Sequence, residues 1–238
     1  MQISRVLSFP LLLAVLSIPQ LLSSPPSQCQ ADRVALLPNI AALQARSTAI
    51  PVQVLVQSPA ETTTELQIIC VFQSAPENTL HGSLVEINQK LQGLLEQIRN
   101  PALFRGDLGE TLLITPSTGN LAAKNLLLIG LGDSETFTPQ RMELVGTIAY
   151  RESERLNIRH PYFASTILDG GLARYKTGEI SQAFMTGFLR AARTERVLVG
   201  VGASAQEIVQ NLTFLAGAAH ASDTKQGIEA ALATNGKQ

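Results

Sequence analysis

The chain has 238 residues, 45% of them apolar and 16% charged, with Lys+Arg 18 against Asp+Glu 19 for a formal net charge of −1. That length and apolar content suffice for a hydrophobic core in one large or two small domains, and they exclude an intrinsically disordered chain. The near-zero charge excludes a nucleic-acid binder working through bulk positive charge, and two cysteines exclude a disulfide-dense scaffold or a cysteine-built zinc module.

At the amino terminus, Arg5 precedes an apolar run at residues 9–16 (FPLLLAVL), whose extension is broken by Ser17, Pro19 and Gln20. A spanning helix needs about 20 apolar residues, so no stable membrane span is expected. Residues 1–31 read instead as a secretory signal peptide, cleaved after Ala31, with Cys29 and Ala31 as its small residues. Lipidation of Cys29 is the alternative, but it places Gln28 where a small residue belongs. The expected location is exported, either periplasmic or extracellular. Residues 32–50 read as a lead-in, 51–222 as one domain, and 223–238 as a C-terminal tail, whose residues 227–238 drift into small and polar residues and fray.

Within that domain, residues 51–57 (PVQVLVQ) and 66–72 (LQIICVF) predict strands, rich in β-branched residues. Cys70 lies in the second run and reads as an inert core residue. Leu84, Ile87, Leu91, Leu94, Leu95 and Ile98 put one apolar stripe on a helix over 83–99, stopped by Asn100-Pro101. Residues 110–115 and 125–131 predict strands, the second apolar on both faces. Thr138-Pro139 predicts a helix start, the hydroxyl as cap and proline at the first position. Residues 162–168 predict a strand, 179–192 a helix and 196–201 a short strand. Ser204 and Glu207 form a capping box leading into a helix with Ile208, Leu212, Leu215 and Ala219 at helical spacing. Strands alternating with helices predict an α/β fold, a three-layer sandwich around a mixed, largely parallel sheet.

Glycine-rich loops at strand ends are where such folds bind phosphates. Gly130, Gly132 and Asp133 form one candidate ligand loop, although the third fingerprint glycine is missing and an acid stands where a pyrophosphate would approach. Asp169, Gly170 and Gly171 form another, with Arg174 and Lys176 close behind. Gly200-Val201-Gly202 matches a relaxed dinucleotide fingerprint with Asp223 at about the right distance, but the intervening residues read as helix. Tight structural turns are the simpler reading of all three. His81, His160 and His220 stand alone, so no metal site is expected. No G-x-S-x-G elbow occurs, and pairs such as Glu152/Glu154 read as solvated faces, so no catalytic residue and no cofactor are assigned. Asn211-Leu212-Thr213 is a formal glycosylation site inside an expected helix.

One stretch is more specific. Residues 104–110 (FRGDLGE), 111–115, 124–132 (KNLLLIGLG) and 138–151 resemble, in this order, the amino-terminal domain of the leucyl (cytosol) aminopeptidase family, with Gly106, Gly109-Glu110, Gly130 and Gly132 at matching positions. A fainter resemblance continues through 196–201 as the last strand and the helix from Ser204. The resemblance implies a macro-domain-like fold. In that family catalysis and two metals belong to the carboxyl-terminal domain, and no run like its NTDAEGR segment occurs here, so no catalytic or metal residue carries over. The expected function is an exported, non-catalytic homologue of the amino-terminal domain, an interaction or assembly module with a protein partner or self-association. The alternatives are an accessory subunit of a split metallo-aminopeptidase and a macro-like binder of a nucleotide-type ligand.

Overall fold

The computed structural model describes residues 50–73, 79–100, 103–116 and 119–235. The signal peptide, Cys29, Ala31 and nearly all of the lead-in lie outside the described residues. In chain order the elements are β1 (Val52–Val56), β2 (Gln67–Val71), α1 (Gly82–Lys90), α2 (Leu94–Arg99), β3 (Thr111–Ile114) and β4 (Leu126–Gly130). There follow α3 (Arg141–Arg155), β5 (Tyr162–Ala164), α4 (Thr177–Gly200), β6 (Leu212–Ala216) and α5 (Ala221–Asn235).

The six strands form one sheet in the order β1-β6-β5-β2-β4-β3. Every neighbouring pair is parallel except β3 with β4. The expected α/β sandwich with a mixed, mostly parallel sheet is what forms. β2 and β4 are buried at every residue, as strands covered on both faces must be. Their side chains alternate between two cores. Ile68, Cys70, Leu127 and Ile129 join Phe163, Phe184, Phe188 and Phe214 under α3, α4 and α5. Ile69, Val71, Leu126 and Leu128 meet Leu84, Ile87, Leu95 and Phe104 beneath α1 and α2.

Several expected elements are redrawn. The single helix over 83–99 breaks into α1 and α2, because Gln92 and Gly93 adopt positive φ of 56° and 81°. The side chain of Asn88 stabilises the break, its Oδ1 accepting the Leu95 backbone N–H at 3.0 Å. The strand expected at 162–168 ends at Ala164, where Thr166 turns the chain with φ 47°. Its hydroxyl repairs the interrupted ladder, accepting from Cys70 N at 2.9 Å and donating to Cys70 O at 2.6 Å. Thr138 does not cap α3, which begins at Arg141 without a side-chain cap.

Larger corrections concern the last third. Residues 196–201 are the end of the 24-residue helix α4 and not a strand. The expected helix from Ser204 is instead a loop leading into β6, whose residues 212–215 are buried between β1 and β5. The loop is fastened to α3 by Glu154, whose carboxylate accepts the backbone N–H groups of Ile208 and Val209 at 3.0 Å, so Glu154 is not simply a solvated acid. Residues 223–235 are not an irregular tail but continue α5, with Ile228 and Ala231 buried in the core. The glycosylation motif at Asn211 stands at the start of β6.

Candidate functional site

The parallel strands β1, β5 and β6 end together, and a cleft of about 640 Å³ opens at their C-terminal ends. Ends of parallel strands are where open α/β sheets place ligands, because the strands stop and the following helices begin there. Val56, Ala164 and Leu215 bring the three strand ends to the cleft, and the first turns of α1, α4 and α5 close it through Ser83, Thr177 and Thr224. Ile180 and Phe214 supply an apolar floor continuous with the core.

Two of those helix starts carry carboxylates of the chain itself. An α-helix N-terminus exposes unpaired N–H groups and about half a positive charge, and it attracts an anion. At α1, Asp169 answers that demand. Its carboxylate accepts a short hydrogen bond from Ser83 Oγ, and its carbonyl accepts the His81 backbone N–H at 2.9 Å. Gly82 (φ +48°) makes room, since a Cβ there would meet Asp169 Oδ1. At α4, Asp223 Oδ2 accepts the Gly178 N–H at 2.8 Å and the Thr177 hydroxyl at 2.9 Å. These bonds, that from Gly178 first, hold the Asp223 carboxyl below its usual range.

A depressed carboxyl stabilises the fold at pH above its unfolded value, and that contribution is lost as pH falls through the folded value. Asp223→Asn is therefore expected to flatten the acid limb of a Tm-against-pH profile below about pH 4, relative to the native chain. At pH 7 it should cost under about 1 kcal/mol, because the group is largely solvated. Parallel acid limbs for the two proteins would show that Asp223 carries no such linkage.

Of the residues singled out from sequence, Asp169 lines the cleft. Gly170 backs onto the Phe72 ring, and Gly171 completes the turn at φ +86°. Gly130 and Gly132 serve a different contact: a Cβ on Gly130 would stand 2.0 Å from Asp107 O, and Gly132 donates its N–H to Gly106 O at 2.9 Å. Asp133 accepts the Glu135 N–H locally at 2.9 Å. Arg174 does not face the cleft; it holds the 134–137 loop by donating to the carbonyls of Ser134 and Glu135. Gly202 follows α4 at φ +72°, a helix length away in space from its expected partner Asp223, which caps the other end of the same helix. Sequence reading missed Ser58, Glu86, Thr177, His220 and Thr224. Topology unites them, and the available signal was that each except Glu86, which lies midway along α1, stands just after a strand or at a helix start.

Other chemistry is limited. Burial pushes the Cys70 thiol far above its usual range, which leaves it without thiolate character. Among the described residues, no group of three or more His, Cys, Asp or Glu side chains stands close enough to hold a metal ion. Nor, among them, is any helix long and apolar enough to cross a membrane.

Residues 68–188 match the model of the cytosol aminopeptidase family, N-terminal domain. A probable cytosol aminopeptidase of Thermosynechococcus vestitus is 33% identical over 91 residues, which are 38% of this chain and 18% of that protein. Another from Alkaliphilus oremlandii is 24% identical over 128 residues, 54% of this chain and 25% of that protein. The matched segments thus span a quarter or less of these relatives. Among solved structures, a lysine-to-glutamate mutant of tomato leucine aminopeptidase aligns with TM-score 0.58 and 18% identity, over 78% of this chain and 36% of that one. An aspartate-to-alanine mutant of the Oceanobacillus iheyensis macrodomain aligns with TM-score 0.57 and 12% identity, over 79% of this chain and 97% of that one. At those identities the likeness is one of fold, and it is macro-like.

Proposed function

We propose that this chain, which belongs to the cytosol aminopeptidase family through its N-terminal domain, is an exported, non-catalytic binding module whose working site is the cleft between α1, α4 and α5. The observation that carries this reading is the cleft itself: about 640 Å³, lies within the size range of small-molecule sites, and pairs an apolar floor with convergent polar groups. The non-catalytic part rests on the family match, which covers the N-terminal domain alone.

The test uses the tagged chain purified from the exported fraction, whose N-terminus is expected at Asp32. With Zn²⁺ or Mn²⁺ it should release no leucine from leucine amide; metal-dependent release would overturn the non-catalytic reading. Titration of ¹⁵N-labelled protein with small alcohols, amines and carboxylates should move amide resonances at residues 165–169, 177–181 and 214–224. Shifts gathered instead around the exposed Leu108 and Leu144, 44% and 41% accessible, would move the function to a contact surface.

A second reading, an accessory subunit for a separate metallo-aminopeptidase chain, is favoured by the coverage of the relatives, in which this domain is a minor part of a longer protein. Stoichiometric co-purification of such a chain supports it.

A further inference from the structure

We infer that the cleft selects a small organic cation, an ammonium group on an apolar body, over phosphorylated or carboxylate ligands; this rests on the cleft being the binding site. The argument begins with charge. Asp169 and Glu86 line the cleft, and among the described residues His220 is its sole basic lining residue. Lys176, the residue before α4, does not line it, and the Arg174 guanidinium is spent on the 134–137 loop.

Two of the three helix starts that would otherwise draw an anion are already answered, α1 by Asp169 and α4 by Asp223. Three first turns contribute about +0.5 each, against the negative charges of Asp169 and Glu86, while Asp223, which does not line the cleft, is offset by Lys176. The local sum is therefore slightly negative before His220 is counted. A phosphate entering here meets like charge and no guanidinium or ammonium to pair with, whereas a cation meets acceptors with spare capacity. Asp169 Oδ2 accepts from Ser83, and Glu86 Oε2 accepts from Ser58 Oγ at 2.8 Å. The second oxygen of each carboxylate has no hydrogen bond, and neither acid has a basic partner, among the described residues.

A further observation points to a ligand independently of the acids. Thr224 is 5% exposed and lines the cleft, yet its hydroxyl makes no hydrogen bond among the described residues, so the hydroxyl opens onto the cleft. A hydroxyl left free at the wall of the cleft offers a bound polar group a hydrogen bond that no side chain among the described residues takes up. The apolar body of the ligand has Ile180, Phe214 and Leu215 to cover it.

The experiment titrates the ¹⁵N-labelled full chain with n-pentylamine, 1-pentanol, pentanoate and ADP-ribose, probes that share size or replace charge. Pentylamine is expected to bind about tenfold tighter than pentanol, pentanoate weaker still, and ADP-ribose not at the cleft. Glu86→Gln, an exposed change that leaves the fold intact, should weaken pentylamine roughly fivefold and leave pentanol unchanged. Asp169→Asn should act in the same direction. Pentanol, pentanoate or ADP-ribose binding the cleft as well as pentylamine overturns the charge inference and leaves the cleft reading standing. No shift at the cleft with any probe overturns both.

Discussion

Gly187→Ala is expected to lower stability by about 3 kcal/mol or more, a fall in Tm of about 6–12 °C for a domain of this size. Judged by helix propensity alone, the substitution should help, since alanine gains up to about 1 kcal/mol over glycine inside a helix. Packing decides the sign. A Cβ on Gly187 would stand 1.8 Å from the backbone oxygen of Glu143 on α3, and a Cβ on the facing Gly146 would stand 2.0 Å from Phe184 O. Neither obstacle is a side-chain end that can rotate away; both are carbonyls inside helices.

The two helices touch here backbone to backbone, and Thr147 Oγ1 bridges them by donating to Glu143 O at 2.9 Å and Gly187 O at 3.2 Å. Accommodating a methyl group pushes α3 off α4 and loosens Val145, Ala149, Phe184 and Phe188 together. Gly217→Ala is the control, because its nearest heavy atom would lie 3.9 Å away, and it should change stability by under about 0.5 kcal/mol. Thermal unfolding of both variants decides it. A Gly187→Ala protein melting at or above the native chain would mean that the helix crossing is not the tight contact described.

How far the sequence foretold this structure depended on whether local and tertiary signals agreed. In β2 and β4 the continuous apolar runs, the turns around them and their burial all point the same way, so both were legible. At 196–201 they disagree: valines favour a strand, but no glycine or proline separates Ala192 from Arg196, and the helix simply continues to Gly200. Around 208–219 the apolar positions fit a helical spacing by coincidence, while the pairing of β6 with both β1 and β5 is a long-range fact no local period carries. The break between α1 and α2 had a local signature, Gly93 with Asn88 five residues before it, that a stripe of leucines outvoted. For the site, Asp169 stood out as an acid at a strand exit. Thr177, His220 and Thr224 did not, because only the parallel crossings bring the starts of α4 and α5 to the end of β1.

Phe214→Ala links the core to the cleft and should cost about 3–5 kcal/mol. The ring is 2% exposed, with centroids 5.0 Å from Phe163 and 5.2 Å from Phe184. Phe188→Ala removes an equally buried ring, stacked on Phe184 and edge-on to Tyr150, and should cost about as much. Stability alone therefore does not separate them; their positions do. Phe214 lines the cleft and Phe188 does not, so the space vacated at 214 joins the binding site, whereas that at 188 stays sealed beneath α3. A ligand bearing a phenyl ring can refill the first and not the second. Stabilisation by a bound ligand grows with its affinity for the folded state, so 2-phenylethylamine should raise the Tm of Phe214→Ala more than n-pentylamine does. In Phe188→Ala and in the native chain the two amines should keep the same order of effect. If the aromatic amine rescues Phe188→Ala as well, or fails to rescue Phe214→Ala while pentylamine still binds, then Phe214 is not the floor on which the ligand rests.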